Sequence, residues 1–162
     1  MTLLVYLDQN YLSGIAKGKP AFRELEPVLR ATVAAGRVAV PESAVHAAES
    51  APRPDLGLLE LLRSLSGGLR LPDELDLEGR EIARRLADTL GRELPLRASR
   101  PGDAADVRAL AVALPRCRWV TCDATMADVV RRTRLDLRYG AELFTGRRAD
   151  VERLRGRLAD LI

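Results

Sequence analysis

The chain is poor in aromatic residues, with one Trp, three Tyr and two Phe among 162 residues. Arg, Leu and Ala dominate instead, which favours a helix-rich packing. Cysteine is scarce as well. Cys117 and Cys122 make no metal-binding pattern with the single histidine, His46, so a zinc module has no support. The two thiols are expected to be reduced. No apolar stretch approaches the roughly 20 residues that span a bilayer. No basic segment precedes the first apolar run, and Asp8 interrupts that run too early for a signal peptide. The expected location is therefore cytoplasmic. Repeats and low-complexity segments are missing. So are a Gly-x-Gly-x-x-Gly motif and a P-loop, which leaves dinucleotide or nucleoside-triphosphate chemistry unsupported. Neither sign of charge prevails strongly: 26 basic against 23 acidic residues give +3, a balance that permits a nucleic-acid partner without demanding one. The length suits one domain, residues 1–162, with enough apolar content for a real core.

What is present is an alternation of strand and helix signals. Residues 2–7 read as a buried strand bounded by Asp8-Gln9-Asn10. Helices are expected at about 10–17 and 21–35, with Gly36 closing the second. Residues 37–40 read as a short strand, Pro41 as the opening of the next helix, and Pro52 and Pro54 as its end. A helix at 55–65, a strand at 69–71 and a helix near 74–90 come next, then a loop from Pro95 to Gly102. Asp103 reads as the cap of a helix whose Val107, Leu110, Ala111 and Leu114 form a core stripe. The chain closes with a strand at 118–121, a helix at 124–133, a strand at 135–139 and a helix at 149–161.

Such alternation argues for an α/β fold with a parallel sheet. Its helices run antiparallel to its strands, so helix amino termini and strand carboxyl ends share one edge. Asp8 and Asp123 end two strands, and Asp103 and Asp106 stand in the first turn of one helix. All four acids should therefore meet at that edge, where open α/β sheets bind ligands.

Four segments carry a resemblance. Leu4-Val5-Tyr6-Leu7-Asp8-Gln9-Asn10 is a strand ending in Asp, with a small polar residue two places on. Val38-Ala39-Val40 followed by Ser43 to Glu49 is a strand and a helix running from Ser to Glu. Asp106 to Leu114 is a helix that begins with Asp and carries an Ala-Leu pair. Val120-Thr121-Cys122-Asp123 is a strand ending in Thr-x-Asp. In this order and rough spacing, over about residues 3 to 145, they resemble the PIN-domain nucleases, which include the ribonuclease toxins of bacterial toxin–antitoxin pairs. The resemblance implies a three-layer α/β/α fold with a central parallel sheet, and a metal-dependent endoribonuclease that leaves a 5′-phosphate. It implies Asp8, Glu49, Asp106 and Asp123 as catalytic and metal-holding residues, with Asn10 beside them to position a metal-bound water or the phosphate. It also implies an RNA substrate, an antitoxin protein as partner and a homodimer with Leu-rich helices at its interface. The segment 51–100 departs from the pattern, and Glu42 and Asp103 are extra acids.

The residue types make chemical sense. Crowded carboxylates repel, and a hard divalent cation removes the conflict; oxygen-only ligation fits Mg²⁺ or Mn²⁺ better than zinc. Each residue also has a plainer reading. Asp8 and Asp123 could be helix caps, although Asn10 is itself a good cap. Asp106 could serve the helix dipole. Glu49 lies about 10 Å along its helix from the strand end. His46 shares a stripe with Glu42 and Glu49 and reads as a supporting hydrogen-bonding group rather than a ligand. Cys122 reads as an inert buried thiol, and Arg131, Arg132 and Arg134 as phosphate contacts or a solvated face. Two competing functions remain: a catalytically inactive PIN-like nucleic-acid-binding or protein-interaction module, and a phosphotransferase working through a phosphoaspartate. The latter would want Asp-x-Asp where the chain has Asp8-Gln9-Asn10.

Overall fold

Four short parallel strands form the sheet among the described residues: β1 (Leu3–Tyr6), β2 (Val38–Ala39), β3 (Trp119–Thr121) and β4 (Glu142–Phe144), in the order β2-β1-β3-β4. The structure is a computed structural model, and it describes residues 1–93 and 100–162. Most of the loop expected from Pro95 to Gly102 lies outside the described residues.

Alternation along the strands divides the core in two. Val5 and Leu7 pack with Trp119, Phe144 and the buried faces of α1 (Gln9–Ala16), α2 (Pro20–Ala34), α4 (Leu58–Ser66) and α9 (Arg148–Ala159). Tyr6, Val120 and Leu143 pack with α5 (Leu77–Glu93), α6 (Asp103–Ala113) and α7 (Ala124–Thr133). The expected α/β fold with a parallel sheet is present, with a core on each face as α/β/α layering requires. The α6 stripe is buried at Val107, Leu110, Ala111 and Leu114. Gly14 lets α1 and α2 approach closely, since a Cβ there would sit 2.7 Å from the Phe22 ring.

Three local expectations are corrected. Pro41 does not open a helix: α3 (Ala44–Ser50) starts after Ser43, while Glu42 pairs in parallel with Arg70, which is all that remains of the strand expected at 69–71. Residues 135–139 form a short helix, α8 (Leu135–Tyr139), and the strand follows at 142–144. A strand here would put Leu135 and Leu137 on one face. Instead Leu135 is buried and Leu137 is 67% exposed, because left-handed Arg134 and Gly140 bracket a single turn. Asp103 is not the cap of α6. Gly102 holds that place, Asp103 is the first helical residue, and its carboxylate accepts from the backbone N–H of Arg100 at 2.9 Å.

Candidate functional site

The strand order places β1 and β3 side by side although they are far apart in sequence, with β2 beyond β1 and β4 beyond β3. The chain therefore winds outward in both directions from this pair, and the crevice past its carboxyl ends is the switch point where open α/β sheets bind ligands. Asp8 follows β1 and Asp123 follows β3.

Both acids cap helices. Asp8 Oδ1 accepts from the backbone N–H of Tyr11 at 3.3 Å, and Asp123 Oδ1 accepts from that of Met126 at 2.7 Å. The expectation that Asn10 would cap α1 and release Asp8 is corrected: Asp8 is the N-cap, and Asn10 is exposed in the first turn. Capping leaves each carboxylate with its second oxygen. Thr121 joins the two strand ends, for its Oγ1 accepts from the backbone N–H of Asp8 at 2.8 Å and donates to Asp8 Oδ1 at 2.8 Å. The sequence reading took Thr121 only as part of a motif; its place one strand over from Asp8 is set by the register of Val5 with Trp119 and Tyr6 with Val120.

The electrostatics show which acids share a neighbourhood. Burial pushes the Asp106 carboxyl up to about 7, and the charges of Asp123, Glu49, Asp8 and Asp103 add to the rise in that order. Asp8 is pushed up to about 6, again by burial first; its bonds from Thr121 and Tyr11 oppose the rise and Asp123 adds to it. Glu49 is raised by burial and then by Asp8. Asp8, Glu49, Asp106 and Asp123, drawn from two strand ends and two helices, thus feel one another, with Asp103 a lesser contributor. Asp106 lies inside α6, past the cap position held by Gly102, whose carbonyl accepts from the Asp106 backbone N–H at 3.0 Å.

Glu42 belongs elsewhere. It is buried and accepts from Arg70 at 3.1 Å and Ser66 at 3.3 Å. His46 is buried between Ser43 and Leu7, and burial holds its imidazole below the usual pKa. Cys122 is buried and its thiol is raised by burial and by the nearby acids. Arg131, Arg132 and Arg134 follow Asp123 closely in sequence, yet α7 carries them about 12–16 Å along its axis to its far end. There Arg132 pairs with Asp128 at 2.8 Å.

Among the described residues, no three His, Cys, Asp or Glu side chains stand close enough to coordinate one ion as they are. The donor set nonetheless suits a hard cation in kind, being all carboxylate oxygen. Beside Asp8, the Oε1 of Gln9 is a buried acceptor with no hydrogen-bond partner. Mutually repelling carboxylates and an unpartnered buried acceptor are features that a cation and its bound waters relieve. Among the described residues no helix is long and apolar enough to cross a membrane.

No protein-family model matches this chain, and neither a curated protein nor a solved structure matches it.

Proposed function

We propose that the chain is a PIN-like, Mg²⁺- or Mn²⁺-dependent endoribonuclease working at the carboxylates of Asp8, Glu49, Asp106 and Asp123. The observation that carries this reading is that burial, reinforced by the charge of neighbouring acids, raises three carboxyls at the switch point between β1 and β3: Asp106 to about 7, Asp8 to about 6, and Glu49 above its ordinary value. Buried carboxyls raised together at the carboxyl edge of a sheet are more characteristic of functional sites than of packing.

Asp8 and Asp123 would hold the ion with the oxygens that capping leaves over, from backbone positions fixed by the sheet. Glu49 and Asp106 would complete the ligand set from α3 and α6. Gln9 and Asn10, in the first turn of α1, would orient water or a phosphate oxygen. When bound, the ion supplies charge neutralisation, a hold on the phosphodiester and acidification of water at neutral pH. The substrate is RNA and the product carries a 5′-phosphate. An antitoxin protein as partner and a homodimer belong to the same reading.

Incubating a mixed RNA pool with the protein, with and without Mn²⁺, tests it. Cleavage with Mn²⁺, its loss in EDTA and its loss in Asp8→Asn are expected. RNA binding without cleavage under any metal would instead leave a nucleic-acid-binding module.

A further inference from the structure

Asp8 and Glu49 repel, yet they are held together by two tethers on either side of them. The residue before Asp8 and the residue after it both reach the helix that carries Glu49. The Leu7 carbonyl lies 2.7 Å from His46 Nε2, and Gln9 Nε2 donates to Ser50 Oγ at 3.4 Å. His46 precedes Glu49 by three residues on α3, and Ser50 follows it directly.

His46 is the stronger tether. Its ring is 1% exposed and stacks on Tyr6 of β1, with centroids 4.9 Å apart and planes 24° apart. The backbone N–H of Ser43 donates to Nδ1 at 2.9 Å, so Nδ1 carries no proton and Nε2–H is the donor to Leu7. The first of these bonds is the return half of a capping box, the place where Glu or Gln usually stands. An ordinary capping side chain would tie α3 to itself. Histidine has a second nitrogen on the far side of its ring, and that nitrogen reaches across to the strand.

We infer that His46 is a positioning residue that clamps α3 to the end of β1 and thereby sets Glu49 against Asp8. Gln9 serves as the second, weaker clamp. The inference rests on the proposed function in taking Asp8 and Glu49 as one site, but the clamp itself can be tested without metal or RNA.

The test is a cycle of thermal midpoints in EDTA for wild type, Asp8→Asn, Glu49→Gln and the double variant. Removing either charge relieves the same repulsion, so the double variant should gain less than the two single gains together. His46→Asn keeps an acceptor where Nδ1 stands and is too short to reach Leu7, so in that background the gains should become additive. His46→Gln, whose single amide can take the place of Nε2 only by giving up the cap, should restore part of the shortfall. A full shortfall in His46→Asn overturns the inference. Should His46→Asn not fold, His46→Phe, which keeps a ring on Tyr6 and loses the bond to Leu7, takes its place, and an undiminished shortfall there overturns the inference. In parallel, Mn²⁺ affinity should fall about 10-fold in His46→Asn, as for other groups that orient metal ligands. If the wild type binds no Mn²⁺, the proposed function fails, while the cycle in EDTA still decides the clamp.

Discussion

At the scale of single residues, Asp106 is the most exposed to test. Its carboxylate has neighbours of like charge and no cap to make, so Asp106→Asn should lower RNA cleavage at least about 100-fold, the usual order for a lost electrostatic partner in catalysis. The thermal midpoint of the metal-free variant should hold or rise. Steady-state cleavage beside a melting curve checks both, and a large destabilisation would mark Asp106 as structural. The raised carboxyls also set a pH dependence. Folded Asp8 and Asp106 keep protons that the unfolded chain has released between their ordinary value of 3.8 and about 6 and 7. These two carboxyls therefore lower the stability of metal-free protein as pH rises through that window, while His46, held below its ordinary 6.5, adds stability as pH rises toward that value. Between about pH 5 and about pH 8 the wild-type melting temperature should fall relative to that of Asp106→Asn. Asp8, Asp106 and Asp123 could be named from strand ends and a helix start in the sequence, and Glu49 from the resemblance. Thr121 and Gln9 could not be given their roles, because a hydroxyl or amide acquires a partner only when register brings another strand or helix beside it.

Secondary-structure elements add a second duty to two of these acids, since Asp8 begins α1 and Asp123 begins α7. Asn caps a helix about as well as Asp, whereas Ala does not. Asp123→Asn should therefore abolish cleavage and keep the thermal midpoint, while Asp123→Ala should lose cleavage and about 1 kcal/mol of stability. Chemical denaturation of the pair separates the duties; equal stability of the two variants would show that the cap contributes nothing. Helices with long stripes were legible because their periodicity spans several turns. The α8–β4 region was misread for a physical reason. Five residues alternating in polarity satisfy a strand and a single helical turn alike, and the deciding feature is the left-handed backbone at Arg134 and Gly140. The first turn of α6 was misplaced by one residue for a similar reason. Gly102 and Asp103 are both acceptable caps, and the choice depends on which carbonyl the N–H of Asp106 finds.

For the whole molecule, the strand order decides where chemistry can occur. The sequence supports an α/β chain with parallel strands, but the order β2-β1-β3-β4, and hence the adjacency of Asp8 and Asp123, depends on long-range pairing that local pattern does not encode. Self-association is part of the proposed reading: sedimentation should show a concentration-dependent dimer, and a monomer at all concentrations would remove that part of it. The leucines of α4 at 58, 62 and 65 are buried in the chain's own core, so they are not available to such an interface. The central claim is that the carboxylate site binds a divalent cation and hydrolyses RNA with it. A ligand that binds only the folded state raises its stability as binding saturates. The most direct measurement is a Mn²⁺ titration of the EDTA-stripped protein at neutral pH, following RNA cleavage and thermal midpoint in the same samples. Cleavage that starts from none, with both signals rising and saturating together, is the predicted result. Full cleavage before any Mn²⁺ is added, or no cleavage at any Mn²⁺ concentration, would contradict the account.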